Sequence, residues 1–108
     1  MFKVKSVVAA ATGLLVSVMM VANVEAKGDI DRGGDLTTDC IECHGMDGKG
    51  NFETPPIAGL KESYILKRLR GFRSGKTKNL DDMMHLYTED LNDQGLQDLA
   101  AYWASMPK

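Results

Sequence analysis

Two cysteines three positions apart, followed at once by a histidine, constrain this chain more than any other feature: Cys40-Ile41-Glu42-Cys43-His44. No other cysteine occurs in the 108 residues. A disulfide between thiols this close closes a trivial loop and takes little entropy from the unfolded chain. It also leaves the adjoining histidine unexplained. Structural zinc needs four ligands, and beyond the thiols the part of the chain after residue 26 offers only His44 and His85. His44 directly follows Cys43, which is poor spacing for tetrahedral closure. A thioredoxin-type redox pair belongs on a βαβ scaffold.

The need for a staple comes from length. Met1 to Lys5 carries two lysines, Val7 to Ala22 is an uncharged and mainly apolar run, and Val24-Glu25-Ala26 closes it with small apolar residues at −3 and −1. That is the pattern of a cleaved secretory signal peptide; the apolar run falls short of the about 20 residues that span a bilayer. The expected domains are therefore a signal peptide at 1–26 and one mature domain at 27–108, with no membrane span after cleavage. Such a small domain struggles to build a core from side chains alone.

The mature part reads as all-α. Residues 29–43 begin with Asp29 and Asp31 and predict one modest helix, weakened by Gly33-Gly34. Residues 45–60, with four glycines and Pro55-Pro56, read as a loop. In 61–74, Ile65, Leu66, Leu69 and Phe72 share one helical face opposite basic residues, and Gly75 is placed to end the helix. Asp81 to Thr88 predicts a short helix with acids in its first turn. Asn92 reads as an N-cap, and Leu96, Leu99, Ala100 and Trp103 recur at helical spacing. No stretch alternates with a period of two.

A covalent haem uses every residue of the cysteine motif. Two thiols on one helical turn add across the two porphyrin vinyl groups, and the next residue brings a nitrogen to the iron; Cys-x-x-Cys-His is the attachment signature of c-type haem. A haem bound through Cys40 and Cys43 also fills the centre of a domain too small to fill itself. Ile57, Leu60, Leu66, Leu69, Leu96 and Leu99 are the expected haem-packing or core residues.

An ordered series of stretches extends the motif over most of the mature chain. It runs from Gly33, seven residues before Cys40, through Cys40-x-x-Cys43-His44-Gly45-x-Asp47-Gly48-x-Gly50 to Pro55-x-Ile57-Ala58-Gly59. Tyr64-Ile65-Leu66-Lys67, Phe72-Arg73-Ser74-Gly75, Met83-Met84 and Leu99-Ala100-Ala101-Tyr102-Trp103 follow. This series resembles the class I c-type cytochromes, in particular the small bacterial group with the cytochrome c4 and c553 domains and the haem subunit of flavocytochrome c sulfide dehydrogenase. The resemblance implies a small cytochrome c fold of three to four helices around one haem c. It implies His44 as proximal iron ligand, its second ring nitrogen held by the Pro55 carbonyl, and Gly33 where the first helix crosses the last near Tyr102. The family's sixth ligand is a methionine eight residues before the polar residue that opens the last helix, which is Met84 counted from Asn92. Met83 and His85 are the neighbouring candidates.

With both axial positions filled by protein, the iron gains and loses an electron and does no bond chemistry. The expected function is thus a periplasmic monohaem electron carrier, or the electron-transfer subunit of an oxidoreductase, and not an enzyme. Its partners would be redox proteins, such as a flavoprotein or a terminal oxidase or reductase. The alternative is an open-site or bis-His haem protein acting as a small-ligand sensor or peroxidase-like enzyme. Eleven Lys and Arg against fourteen Asp and Glu in 27–108 give −3, which argues against nucleic acid as partner. Six of those cations lie between Lys67 and Lys78 and acids follow from Asp81; such a dipole can steer docking.

Overall fold

The computed structural model describes residues 27–78 and 82–108; the expected signal peptide and Asp81 lie outside them. Among the described residues the chain forms five helices and no strand: α1 (Ile30–Asp35), α2 (Thr38–His44), α3 (Glu62–Ser74), α4 (Met83–Thr88) and α5 (Asp93–Ser105). The all-α class is as expected, but the first predicted helix is two. The Gly33-Gly34 pair weakens the helix, and Thr37 then ends it. The Leu36 N–H donates to the Gly33 carbonyl at 3.0 Å and the Thr37 N–H to Gly34 at 3.3 Å. The Thr37 hydroxyl donates to the same Gly34 carbonyl at 2.7 Å. These i to i+3 closures tighten and stop the turn. The chain restarts in a new direction as α2, which carries the whole cysteine motif.

The first and last helices among the described residues meet where α1 crosses α5. A Cβ at Gly33 would run into the Asp98 carbonyl oxygen and stand 2.8 Å from Tyr102 Cβ, so only glycine permits this approach. Beside the crossing, the buried Asp98 carboxylate accepts from the Asp29 N–H at 2.8 Å, Arg32 Nε at 3.0 Å and Gln94 Nε2 at 2.9 Å. Burial works to raise its pKa, but the Arg32, Asp29 and Gln94 hydrogen bonds outweigh it and hold the carboxyl below the usual carboxylate range.

α3 buries Ile65, Leu69 and Phe72 and ends at Gly75, which takes the left-handed conformation at φ 81°. Ile65 and Leu69 join Leu96, Leu99, Ala100 and Trp103 of α5 in the core, with Ile57, Leu60, Leu66 and Met84 half-buried against it. Arg70 and Arg73 both reach Asp93, at 2.7 and 3.2 Å, and pin α3 to the start of α5. Asn92 caps α5 as expected, its Oδ1 accepting from the Gly95 N–H at 2.7 Å. α4 departs from expectation at its start. Asp82 sits in the left-handed region at φ 53°, so the helix begins at Met83 and no acid lies in its first turn. Asp is among the residues that tolerate this conformation, and it turns the chain into α4 instead of extending the helix backwards.

Candidate haem site

The loop between α2 and α3 is folded back on the cysteine motif by its own backbone. The Gly50 N–H donates to the His44 carbonyl at 2.8 Å, the Ile57 N–H to Gly48 at 2.8 Å, and the Gly59 N–H to Trp103 at 2.9 Å. Asn51 tightens the tip, its Oδ1 accepting from the Glu53 and Thr54 N–H groups at 2.8 and 2.9 Å. Gly50 is required here: it has φ 67°, and a Cβ would collide with the Thr54 carbonyl oxygen. The folded loop brings the Pro55 carbonyl 2.9 Å from His44 Nδ1. A carbonyl only accepts, so Nδ1 carries the proton and Nε2 keeps its lone pair for another partner. His44 itself is buried at the end of α2.

That histidine opens onto a cleft of about 960 Å³, within the range of small-molecule and cofactor sites. α2 contributes Cys40, Cys43 and His44 to its wall, and the loop contributes Pro55, Ile57 and Leu60. α3 adds Leu69 and Phe72, α4 adds Met83 and Met84, and α5 adds Leu99 and Trp103. Cys40, Cys43, His44, Pro55, Ile57 and Met84 therefore line one cavity, but not every expected haem-packing or core residue does. Leu66 and Leu96 do not; they belong to the core behind it.

The thiols are both free, Cys40 half-buried and Cys43 exposed, so the pair forms no disulfide. Burial, with Asp39 adding to it, pushes the Cys40 thiol up to about 11, against a smaller opposing hydrogen bond from Trp103. Among the described residues no three His, Cys, Asp or Glu side chains gather as a metal cluster. What the cleft does offer fits a porphyrin: an apolar cavity, two thiols on one helical turn, and a buried imidazole with one nitrogen oriented and the other free.

Two of the three candidates for a second axial ligand line the cleft. Met84 is half-buried and packs on the core, while Met83 is more exposed on the same wall. His85 does not line the cleft. Its Nδ1 lies 2.8 Å from the Phe72 carbonyl oxygen and its Nε2 3.2 Å from Glu89 Oε2, so both nitrogens face oxygen acceptors. Sequence reasoning missed Arg68, Tyr64 and Tyr87 in the cleft wall. The Arg68 guanidinium stands 5.0 Å over the Phe72 ring. On a helix that otherwise reads as apolar stripe and basic face, nothing local marks a cation for the cavity. Trp103 showed as a member of the last-helix pattern without its place beside Cys40 being legible.

The cytochrome c family model matches residues 30–107. Cytochrome c4 from Pseudomonas aeruginosa is 39% identical over 95 residues, an alignment covering 85% of this chain and 45% of that protein. A thiosulfate dehydrogenase electron acceptor from Stutzerimonas stutzeri is 33% identical over 70 residues, covering 63% of this chain and 32% of that one. A solved structure of cytochrome c4 from Acidithiobacillus ferrooxidans superposes with a TM-score of 0.68 at 26% identity, covering 78% of this chain and 53% of that chain. The chain thus spans about half the length of the cytochromes c4 it matches.

Proposed function

The chain belongs to the cytochrome c family, among the class I cytochromes of the c4 group, and on that premise we propose that residues 27–108 form an exported monohaem electron carrier with His44 and Met84 as its iron ligands. The observation that carries the reading is the His44–Pro55 contact of 2.9 Å at the edge of a cleft that also holds both thiols and Met84. Haem c supplies an iron that takes up and releases one electron at a time.

The chain's own residues bind, orient and shield. Cys40 and Cys43 hold the porphyrin by thioether bonds, so it cannot leave the cleft. Pro55 fixes the ring orientation of His44 and, by accepting its proton-bearing nitrogen, raises the basicity of the other. Met84 supplies a soft thioether, which favours the reduced iron relative to a second histidine. Ile57, Leu60, Leu69 and Leu99 keep water away, which limits reorganisation when the charge changes. An open-site sensor or peroxidase requires that neither Met83 nor Met84 ligate the iron, and both line the cavity within which a ligand must lie.

The basic, then apolar, leader ending at Ala26 supports export to the periplasm, and no helix among the described residues is long and apolar enough to cross a membrane. The likeness to a thiosulfate dehydrogenase electron acceptor supports a redox enzyme as partner, met as a free carrier or as a bound subunit. Intact-mass analysis of the natively exported protein tests this reading. It predicts residues 27–108 plus one haem that stays on the chain in a denaturing gel. A mass that keeps residues 1–26, or a haem lost on denaturation, contradicts it.

A further inference from the structure

We propose that His85 is a positioning residue for Met84, its imidazole tying α4 to α3 so that the methionine stays in the cleft. The inference rests on the reading of Met84 as the sixth ligand. α4 has six residues, far fewer than a helix needs to be stable alone. Its N-cap residue, Asp82, is left-handed and makes no side-chain cap, and its first turn holds no acid. The helix therefore depends on contacts outside its own backbone. The buried Thr88 hydroxyl donates to the Met84 carbonyl at 2.6 Å, but that bond stays within α4. Among the described residues, the one side-chain hydrogen bond from α4 to another helix is His85 Nδ1–H to the Phe72 carbonyl, at 2.8 Å.

Both ends of that bond adjoin the site. Phe72 lines the cleft and sits in the last turn of α3, while His85 directly follows Met84. Glu89, one turn on, places an oxygen 3.2 Å from Nε2 on the other side of the ring. The His85 side chain is 38% exposed. Without it, water can reach the Phe72 carbonyl, which also accepts from the Gly75 N–H at 3.1 Å. Removing the imidazole thus loosens α4 locally and leaves the core of α1, α3 and α5 in place. Losing one such hydrogen bond shifts the balance between a seated and an unseated methionine by about tenfold.

The test uses natively purified, haem-loaded protein and three substitutions. His85→Gln places an amide donor where Nε2 stood and His85→Leu places none; His85→Asn places its donor where Nδ1 stood. Two readouts follow the ligand: the weak far-red band of methionine sulfur on ferric iron, followed with temperature, and the fraction of ferrous protein that binds carbon monoxide. Far-ultraviolet circular dichroism follows the fold. We expect His85→Gln and His85→Leu to lose the band well below global unfolding and to raise the CO-reactive fraction about tenfold. His85→Asn restores both, and the fold melts as in the parent. A parental band and CO fraction in both loss variants overturn the proposal, as does an Asn variant that behaves like Gln. Band and fold melting together in all three variants also overturn it, because His85 is then a fold residue only. If His85→Leu fails to load haem, the Gln and Asn pair decides alone. A Met84→Ala protein that keeps the band sinks the ligand reading instead, so the two failures are distinct.

Discussion

His44 has one ring nitrogen to spare because a proline carbonyl takes the other, and the proline is delivered by a loop that tolerates no Cβ at Gly50. Gly50→Ala puts a methyl group on the Thr54 carbonyl oxygen, 2.8 Å from the Pro55 carbonyl oxygen, at a φ that disfavours L side chains. The strain and the clash together cost about 2 to 3 kcal/mol. For a domain of this size that lowers the midpoint of thermal unfolding by roughly 10 °C or more, which calorimetry of the holoprotein reads directly. The motif residues were the most legible part of the site. Cys40, Cys43 and His44 follow from spacing, because covalent attachment demands a fixed separation on one helical turn. The part of Pro55 came only with the resemblance, since the contact depends on how sixteen residues of loop fold back. Met84 also came with the resemblance, by the family's count back from the start of the last helix, and Asn92 does cap α5.

Among the elements, the crossing of α1 and α5 couples stability to pH through Asp98. Its carboxyl lies below the ordinary range in the folded protein, against about 3.9 in an unfolded chain. The stabilisation is therefore fully present above that unfolded value and is lost as the pH falls through the folded one. Asp98→Asn is expected to cost about 2 kcal/mol at neutral pH. The cost stays moderate because the Arg32 side chain is 57% exposed and water can solvate it. The same variant should flatten the acid limb of stability below about pH 4. Denaturant titrations of both proteins across that range measure the two effects together. The elements were less legible than the motif. A helix pattern over 29–43 hides the Thr37 hydroxyl that ends α1, and the acids before α4 imitate a helix start where Asp82 instead makes a left-handed turn. In both places a local side-chain or backbone choice overrode a correct reading of composition. The part of Gly33 came with the resemblance, and the structure gives its physical reason in the close approach of Asp98 and Tyr102.

At the scale of the whole molecule, the cavity replaces the apolar centre that so short a chain cannot build. Helices α2, α3, α4 and α5 and one loop all give it walls, which is why its Arg68, Tyr64 and Tyr87 were invisible in a linear reading. The surface charge is also less polarised than the sequence suggests. Arg70 and Arg73 share the single carboxylate of Asp93, which offsets one of their two charges, beside Lys67, Arg68, Lys76 and Lys78. A partner attracted to this face meets a smaller positive field than six cations imply. The central proposal is that His44 and Met84 would both ligate the iron, as a carrier requires and a ligand-binding or catalytic haem protein does not. The measurement that tests it most directly is the far-red spectrum of the ferric protein beside its Met84→Ala and Met83→Ala variants, with carbon monoxide added to each ferrous form. The account predicts the methionine band and CO resistance in the parent and in Met83→Ala, and loss of both in Met84→Ala. A parent that lacks the band and binds CO at once, or a Met84→Ala protein that keeps the band, contradicts it.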